Sequence, residues 1–353
     1  MKIALITDTH WGIRNDNVNF HDNTKKFLEE VFFPYIDKNE VTKIIHLGDL
    51  VDRRKYVNFL TAKRLREDFL EPLWDRKLET HIIVGNHDVF YKNTNKVNSL
   101  KELVSGNYDN INVYIKPTEI NLGGVDILLL PWINDENREE ALNTINTAKS
   151  KVVMGHLELR GFEMFRGSVS THGDDRSLFD RFDLVCSGHY HHRSTIGNIS
   201  YLGSHAEFTW SDYDDPRGFH IFDTSTGSLE FIQNPYKMFL KLWYDDTNGN
   251  VGLSESRELY DGKIIKVIVK NKINPYMFDK YIEKIESFNP INLQIVEDHL
   301  NLDTQGDDTI ISEAESTVDI FKKYIDQIKS PGINKKKLET TIINLYNEAL
   351  TIG

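Results

Sequence analysis

Short apolar runs alternate with longer amphipathic segments over roughly residues 2 to 205. Runs rich in Val, Ile and Leu are typical of buried strands, and the segments at 22–38 and 59–78 have the hydrophobic spacing of helices. The alternation predicts a layered α/β (α+β) domain, in which the later strands form a second sheet packed on the first and helices flank both. The predicted strands read KIALIT, VTKIIHLG, THIIVGN, VDILLLPW, KVVMGH and FDLVCSGH.

The pattern changes in the second half of the chain. Residues 196–244 are rich in β-forming residues and turns, and we expect them to close the second sheet of a first domain that covers 1–245. A strand, helix, strand pattern predicts a small α/β capping domain over 255–299. The acidic residues 300–311 are typical of a linker, and 312–353 predict a hairpin of two amphipathic helices. The hairpin either packs on its own domain or docks a partner.

Five of the apolar runs end in polar residues whose side chains bind metals or transfer protons. In four of these runs a glycine stands directly before the polar residue, which lets the backbone turn sharply as it leaves the strand. Because functional loops lie at the carboxyl ends of strands in such folds, we expect these residues to form one site. They are Asp8, His10, Asp49, Asp52, Asn86, His87, Asp88, His156, His189 and His191.

The chemistry of this set indicates a metal centre. Carboxylate oxygen, amide oxygen and imidazole nitrogen are ligands for manganese, iron or zinc, and the set lacks the thiolates of a closed structural zinc site. The number of ligands exceeds the needs of one ion and suits two ions that share a carboxylate, an arrangement that hydrolyses phosphoesters. Each motif alone is weak, and "GDLVD" fits an ordinary strand and turn, but the ordered set is very improbable by chance.

Composition and charge narrow the class of protein. The chain has 353 residues, of which 39% are hydrophobic, and no apolar run approaches the roughly 20 residues of a membrane span. The single cysteine, Cys186, excludes an internal disulfide and suits a reducing compartment, so we expect a soluble, cytoplasmic protein with no membrane partner. The net charge of −12 argues against a dominant basic surface. A polyanionic substrate would therefore need local positive charge, supplied by bound cations, by clustered Lys and Arg, or by a partner subunit.

The five motifs together resemble the calcineurin-like metallophosphoesterase superfamily over about residues 1–205. Their finer details resemble its DNA-repair nuclease branch, the SbcD-type subunits. Beyond the motifs the likeness continues only in layout, with a capping domain, a linker and a terminal helical pair. The details are TDTHWG, GDLVDRRK, VGNHDVFYKN, GHLELRGF and SGHYHH, followed by YLGSHAEFTWSDYDDPRGFHIFD.

The resemblance implies two divalent metal ions per subunit, manganese or alternatively magnesium. It also implies that His87 is the imidazole that stabilises the transition state or protonates the leaving 3′ oxygen. The implied ligands are Asp8, His10 and His191 for one metal, Asn86, His156 and His189 for the other, and Asp49 as the bridge between them.

Asp52 is the second residue that the resemblance places in catalysis. In related phosphatases the aspartate three residues after the bridging one hydrogen-bonds the catalytic imidazole, so the resemblance implies that Asp52 orients His87. Eukaryotic and archaeal nucleases of the branch tend to carry histidine there, which is a departure. SbcD-type members resemble this chain at that position, so we expect Asp52 to orient and polarise His87.

Six residues beside the predicted ligands are candidates for substrate contact. A run of three cations suits the phosphate backbone, although such a run is usually a solvated face. Three aromatic residues suit stacking on a splayed base, and plain packing explains them equally well. The cations are Arg53, Arg54 and Lys55, and the aromatic residues are Trp11, Tyr91 and Tyr190.

The resemblance implies a DNA nuclease with 3′–5′ exonuclease and single-strand endonuclease activity. Its partners would be DNA at the capping domain, a second copy bound through helices of the catalytic domain, and an SbcC-like coiled-coil ATPase bound by the terminal helices. A phosphomonoesterase or nucleotide hydrolase on the same site remains an alternative, because GDLVDRR approaches the protein phosphatase pattern. A non-catalytic scaffold is the third hypothesis, although none of the expected ligands is missing.

Overall fold

The computed structural model describes residues 1–249 and 251–297, together with residues 335, 337, 338 and 341. The strands are β1 (Lys2–Ile6), β2 (Lys43–His46), β3 (Glu79–Ile83), β4 (Ile111–Tyr114), β5 (Thr118–Leu122), β6 (Val125–Leu130), β7 (Val152–His156), β8 (Glu163–Phe165), β9 (Ser168–Val169), β10 (Leu184–Gly188), β11 (Ser194–Ile196), β12 (Ile199–Tyr201), β13 (Gly218–Asp223), β14 (Ser228–Gln233), β15 (Phe239–Asp245), β16 (Ile264–Asn271) and β17 (Asn292–Glu297).

The helices are α1 (Ile13–Asp16), α2 (Val18–Phe27), α3 (Phe33–Lys38), α4 (Phe59–Leu65), α5 (Glu71–Asp75), α6 (Ser99–Leu103), α7 (Arg138–Thr147) and α8 (Pro275–Ser287). A π-helical turn at Leu28–Phe32 joins α2 to α3, and another at Arg66–Leu70 joins α4 to α5. These two continuous segments confirm the helices predicted at 22–38 and 59–78. Short 3₁₀ turns lie at Arg176–Phe179, Trp210–Asp212 and Arg257–Leu259.

The first sheet has the strand order β14-β13-β1-β2-β3-β4. β1 to β4 are parallel, and they include the first three predicted strands. Parallel strands covered on both faces are expected to read as nearly continuous apolar runs, as the sequences of β1 and β2 do. This arrangement brings the loops after β1, β2 and β3 to one edge.

The second sheet has the order β11-β12-β10-β7-β6-β5 and contains the other three predicted strands. The expectation that residues 196–244 close this sheet is only partly right. β11 and β12 join it, whereas β13 pairs antiparallel with β1 and extends the first sheet. β13 is buried along most of its length in the structure. The sequence pattern carries no signal for the sheet edge that β13 pairs with.

Three apolar layers hold the sandwich together. Alternate residues of each strand point to opposite faces, so each sheet contributes to an inner layer and to a layer under its own helices. Phe27, Phe32 and Phe69 belong to the layer between the first sheet and α2 to α5. Ile145 of α7 belongs to the layer between the second sheet and its helix. The inner layer includes Ile3, Leu5, Ile45 and Ile83 of the first sheet and Ile127, Leu129, Met154 and Cys186 of the second.

A third, smaller sheet follows, with the order β15-β16-β17 and all strands parallel. α8 packs on one of its faces through Phe278, Tyr281 and Ile285. β15 lies within the range assigned to the first domain from the sequence, but it pairs with β16, so a boundary at 245 would separate two strands of one sheet. Among the described residues no helix is long and apolar enough to cross a membrane.

The predicted linker at 300–311 lies outside the described residues. The predicted hairpin at 312–353 lies outside them as well, apart from residues 335, 337, 338 and 341, which are helical.

His220 on β13 is a buried histidine that stays neutral. It is 4% exposed, its ring centroid lies 5.1 Å from that of Phe231, and its Nδ1 has no hydrogen-bond partner within the described part of the chain. Burial, assisted by Arg193, lowers the pKa of His220 to about 3. In the unfolded chain the pKa is about 6.5. Below that pH the unfolded state binds a proton that the folded state does not, so this residue lowers stability as the pH falls.

We expect His220→Phe to make folding less sensitive to acid. Between about pH 6 and pH 4 the histidine lowers the free energy of unfolding by about 1.4 kcal/mol per pH unit, and phenylalanine does not titrate. Urea unfolding at pH 7, 6 and 5 in EDTA measures this slope. His172→Phe, at an exposed histidine, is the control and should leave the slope unchanged. An unchanged slope in His220→Phe would contradict the neutral buried ring.

Candidate metal centre

Five strands from the two large sheets end at one edge of the sandwich. β1, β2 and β3 are parallel neighbours in the first sheet, and β7 and β10 are parallel neighbours in the second. The backbone N–H of His189, after β10, donates to the Asp8 carboxylate after β1 at 3.1 Å. The structure therefore brings together strand-end residues that are far apart in the sequence, as the alternation of strands and polar residues predicted.

The first group of donors comprises Asp8, His10 and His191, whose ligand atoms lie within 4.8 Å of one another. Nε2 of His10 lies 3.0 Å from Nε2 of His191 and 3.9 Å from Oδ1 of Asp8. Nε2 of His191 lies 4.0 Å from the same carboxylate oxygen. The three side chains thus converge on one point.

The second group comprises Asn86, His156 and His189. The amide oxygen of Asn86 lies 2.9 Å from Nε2 of His156 and 2.8 Å from Nδ1 of His189. Nδ1 of His156 lies 2.7 Å from the carbonyl oxygen of Leu47, which only accepts, so Nδ1 carries the proton and Nε2 faces the centre unprotonated when the ring is neutral. The main chain after β2 thereby orients a ligand from the other sheet.

Asp49 lies between the two groups. Its Oδ2 is 3.8 Å from Nε2 of His10 and 3.4 Å from Nε2 of His156. Its Oδ1 accepts the backbone N–H of His87 at 2.8 Å, which fixes the carboxylate against the loop after β3. Asp49 has the position that a carboxylate shared by both groups requires.

The donor set fits divalent cations. Two unprotonated ring nitrogens 3.0 Å apart, such as those of His10 and His191, repel each other unless a proton or a cation lies between them. Asp8 and Asp49 are 0% and 1% exposed, and carboxylates buried to this degree need a compensating positive charge. Oxygen and imidazole donors in this combination suit first-row divalent metals.

The buried charges act strongly on one another. Burial raises the pKa of the Asp8 carboxyl, with Asp49 adding to the effect. Burial would lower the pKa of His156, but Asp49, with smaller contributions from Asp8 and the Leu47 carbonyl, outweighs it and raises that pKa to about 9. Burial lowers the pKa of His189 to about 3, with His156 as the next cause. Asp49 and His156 therefore form the dominant ion pair of the site.

Four of the candidate ligands have left-handed backbone conformations. The φ angles of Asp8, His10, Asp49 and His189 are 51°, 44°, 54° and 88°. Each such conformation raises the free energy of the folded state by roughly 1–2 kcal/mol, and strain of this kind is concentrated at functional sites. The sequence contains no signal for it, because the residues carry ordinary side chains.

Two glycines let the loops approach more closely than any other residue would. A Cβ on Gly85 would overlap Oδ1 of Asp49, and a Cβ on Gly188 would overlap Oγ1 of Thr7. The sequence pattern suggested that these glycines permit sharp turns, but neither has a positive φ. Their role is instead to leave space for a neighbouring loop.

Asp52 contacts His87 differently from the prediction. Nδ1 of His87 lies 2.6 Å from the main-chain carbonyl oxygen of Asp52, whereas the Asp52 carboxylate lies 3.4 Å from Nδ1 of His10. The contact between the two residues thus runs through the main chain of Asp52, and the role expected of its carboxylate towards His87 stays a prediction. The main chain of Asp52 orients the candidate catalytic ring, and its side chain faces the outer nitrogen of a candidate ligand.

Asp88 is a buried residue of the site whose role could not be predicted from the motif alone. It is 0% exposed and accepts the backbone N–H of Gly85 at 2.9 Å and that of Val51 at 3.1 Å. Burial, with help from Asp49, raises the pKa of Asp88 to about 6. Asp88 ties the loop after β3 to the loop after β2. Its position directly after His87 in the GNHD motif was the sequence feature that could have indicated a place in the site.

The candidate substrate residues divide into buried and accessible groups. Trp11 and Tyr190 are 3% and 4% exposed, and their rings stack on His21 and Tyr201, so base stacking by them is excluded in this conformation and packing is their role. Tyr91 is 53% exposed.

The basic residues also differ. Arg53 pairs with Asp16 at 2.9 Å and donates to Asn15 at 2.7 Å, so its guanidinium holds the turn of α1. Nη1 of Arg54 is buried and has no hydrogen-bond partner among the described residues. Lys55 is exposed. The three cations therefore differ in exposure and in how many hydrogen bonds their side chains already make.

Comparison with known proteins shows the family. Residues 1–193 match the family model described as calcineurin-like phosphoesterase. The chain therefore belongs to the calcineurin-like phosphoesterases, a metallophosphoesterase family that uses divalent metal ions, as the motifs indicated. It is also similar to exonuclease subunit 1 of Enterobacteria phage T4, with 32% identity over 356 residues that cover 99% of each chain.

A solved structure described as a novel archaeal phosphodiesterase overlays with a TM-score of 0.34 and 14% identity. The overlay covers 66% of this chain and 100% of that one, and the family assignment does not rest on it.

We expect Asp52→Asn to weaken metal binding more than turnover at saturating metal. The substitution keeps the main-chain carbonyl that contacts His87 and removes the charge that faces His10. Loss of such an outer partner typically weakens metal affinity about 10- to 100-fold. Calorimetric titration with Mn²⁺, paired with phosphodiester hydrolysis at saturating Mn²⁺, separates the two effects.

The matched control is Asp109→Asn, at an exposed aspartate before β4. It should alter neither quantity. A loss of turnover with unchanged Mn²⁺ affinity in Asp52→Asn would instead support the side-chain dyad with His87.

Proposed function

We propose that the chain is a two-metal DNA nuclease with 3′–5′ exonuclease and single-strand endonuclease activity. The observation that carries this proposal is the convergence of two donor groups on the buried Asp49, in a chain that belongs to a phosphoesterase family. The full-length similarity to a relative named as an exonuclease subunit supports DNA as the substrate.

Each donor group would hold one divalent ion, Mn²⁺ or alternatively Mg²⁺. Asp8, His10 and His191 would hold the first, and Asn86, His156 and His189 the second, with Asp49 shared. When bound, such ions supply Lewis-acid stabilisation of the phosphate oxygens and an activated water. The protein contributes the fixed position of each donor.

His87 is the proposed proton donor to the leaving 3′ oxygen. Because Nδ1 faces a carbonyl oxygen at 2.6 Å, Nδ1 keeps a proton and Nε2 is the atom that exchanges one. The ring centroid lies 4.8 Å from that of His10, which places His87 beside the first donor group. The backbone N–H of His87 donates a hydrogen bond to the Asp49 carboxylate.

Arg54 is the proposed anchor for the scissile phosphate. Burial lowers the pKa of its guanidinium, and Asp49 is the opposing charge. A half-buried cation with an unsatisfied Nη1 is suited to a phosphate oxygen. Lys55, which is exposed, is proposed to contact the phosphate backbone further out, and Tyr91 to stack on a base.

A cavity beside the second donor group offers space for the end of a DNA strand. It holds about 170 Å³ and is lined by Trp132, His156 and Glu158 among others. The Trp132 ring lies 5.2 Å from that of His189. We propose that it receives the terminal nucleoside during exonucleolytic cleavage.

We propose that the chain works as the nuclease subunit of an SbcCD-type complex. An exposed apolar patch at the start of α4, formed by Tyr56, Phe59 and Leu60 with exposures of 60%, 95% and 42%, supports a homodimer through helices of the catalytic domain. Residues 312–353 are proposed to bind the coiled-coil ATPase. The printed name of the phage relative, a subunit, supports an assembly.

A phosphomonoesterase or nucleotide hydrolase is the second candidate. The observation that favours it is the generic family match, which covers the metal centre and stops at residue 193. A non-catalytic scaffold has no such support, because all the expected donors are present and converge.

We expect the purified chain with Mn²⁺ to cut labelled linear DNA, and His87→Ala to cut it about 100-fold or more slowly, because proton transfer contributes that much to such reactions. His172→Ala, at an exposed histidine away from the donors, is the control. p-Nitrophenyl phosphate is offered in parallel. Phosphate release without DNA cutting would favour the second candidate, and full activity of metal-loaded His87→Ala would remove His87 from the mechanism.

We expect a candidate coiled-coil ATPase to co-purify with the full chain and to be lost when residues 310–353 are deleted. The amphipathic patterns of this segment suit helices that dock on a partner. DNA cutting by the truncated chain controls for its folding. Undiminished co-purification of the truncated chain would place the partner surface elsewhere.

A further inference from the structure

Arg217, the residue directly before β13, has a buried guanidinium beside the loop that carries His191. Nη1 of Arg217 donates to the main-chain carbonyl oxygen of His191, and to Oγ of Ser204 at 2.9 Å. Nη2 donates to the carboxylates of Asp212 and Asp215, at 2.8 Å each. All three charged side chains are 3% exposed or less. We call the group formed by Arg217, Asp212, Asp215 and Ser204 the arginine cluster.

The cluster fixes the main chain at His191. The carbonyl oxygen of His191 also accepts the backbone N–H of Ser204 at 3.1 Å. Gly203 has a φ of 73°, and a Cβ there would lie 2.7 Å from the same carbonyl oxygen, so the two loops are in direct contact. The next residue, His192, has its Nδ1 2.8 Å from Oδ2 of Asp215. The backbone that carries this candidate ligand is therefore held on successive residues.

The cluster also holds an aromatic ring that packs on the first donor group. Oδ2 of Asp212 accepts the backbone N–H groups of Phe208 and Thr209 at 2.7 and 2.8 Å. The ring centroid of Phe208 lies 5.7 Å from that of His10 and 5.6 Å from that of His191. Because Phe208 is fully buried, its ring limits the movement of both imidazoles. The guanidinium thus acts on the first donor group by two routes.

The second donor group is held by other contacts. The backbone N–H of His189 donates to the Asp8 carboxylate at 3.1 Å, and Nδ1 of His156 lies 2.7 Å from the Leu47 carbonyl oxygen. Within the described part of the chain, the side chains of the arginine cluster make no hydrogen bond to a member of the second donor group. The cluster therefore distinguishes between the two groups.

Folding stability alone does not account for a buried arginine at this position. Nε of Arg217 is buried and has no hydrogen-bond partner among the described residues. An unpaired buried donor is destabilising, and apolar side chains in place of a buried ion pair are often neutral or stabilising. A guanidinium is distinguished instead by its planar shape and fixed donor directions, which hold several acceptors in one arrangement. Here that arrangement includes the carbonyl of a candidate metal ligand.

We propose that Arg217 is a positioning residue that holds His191 in place for the divalent ion of the first donor group. This inference rests on the proposed two-metal function and deepens it, since one metal position depends on the arginine and the other does not. Without the guanidinium the His191 carbonyl loses a charged donor. The ring then leaves the position in which its Nε2 lies 3.0 Å from Nε2 of His10 and 4.0 Å from Oδ1 of Asp8.

The test measures Mn²⁺ binding at the two positions separately. The variants are Arg217→Gln and Asp215→Asn. The control is Arg181→Gln, since this guanidinium also donates to main-chain carbonyls, those of Ile145 and Ala148 at the end of α7, at 2.6 Å each. Calorimetric titration of the full chain with Mn²⁺ gives the affinities. Electron paramagnetic resonance shows whether two ions are neighbours, because adjacent Mn²⁺ ions broaden each other's hyperfine lines. Urea unfolding in EDTA reports on folding.

We expect Arg217→Gln to weaken one Mn²⁺ position about 10-fold or more and to change the other less than about twofold, an effect typical of a lost outer partner. At two equivalents of Mn²⁺ the variant should show the narrow lines of isolated ions, and the wild type the broadened lines. Hydrolysis of bis(p-nitrophenyl) phosphate by Arg217→Gln should need more Mn²⁺ and approach the wild-type rate at saturation. Arg181→Gln should bind Mn²⁺ like the wild type, however far its urea midpoint falls.

Asp215→Asn decides the question if Arg217→Gln does not fold. It removes one of the two carboxylates that hold the guanidinium and leaves Asp212 in place. We expect it to weaken the same Mn²⁺ position by a smaller factor.

Equal losses at both positions, or unchanged Mn²⁺ binding in the folded variant, would overturn the inference. A selective loss at one position in Arg181→Gln would overturn it as well. A wild type that binds fewer than two Mn²⁺ ions would refute the two-metal proposal and this inference together. The test uses no DNA, so a wild type that binds two ions in the expected way and does not cut DNA would remove only the nuclease proposal.

Discussion

The carboxylate of Asp49 is the interaction on which the candidate site depends. It lies 3.8 Å from a nitrogen of His10 and 3.4 Å from a nitrogen of His156, so it links residues from both sheets. Its charge raises the pKa of His156 to about 9 against the opposing effect of burial. Gly85 must lack a side chain because a Cβ would overlap this carboxylate. Any movement of Asp49 would therefore disturb both donor groups at once.

The left-handed residues of the site are held by contacts between loops rather than within them. The backbone N–H of Asp8 donates to the carbonyl of Gly48 at 3.1 Å, and that of His10 to the carbonyl of Asp49 at 3.1 Å. Asp88 ties the loop after β3 to the loop after β2 through the backbone N–H of Val51. Several independent contacts thus fix conformations that a free loop would leave. The packed sandwich supplies the rigidity, since the loops start from adjacent buried strands.

The acidic composition of the chain raises the question of how it could bind a polyanion. The structure distributes the three cations of the GDLVDRRK motif unequally, with Arg53 engaged by Asp16 and Arg54 half-buried near Asp49. Local arrangement, rather than net charge, is therefore the relevant quantity for this protein.

The sequence by itself determined the six main strands, the two long helical segments and the candidate donors that converge at one edge, because apolar runs and the residues that end them are local features. Only the tertiary structure decided that β13 extends the first sheet, that the Asp52 carboxylate faces His10 and that Tyr190 is buried. These outcomes depend on which strand edges pair and on how closely two loops approach. Such distances arise between segments far apart in the chain, and no local pattern encodes them.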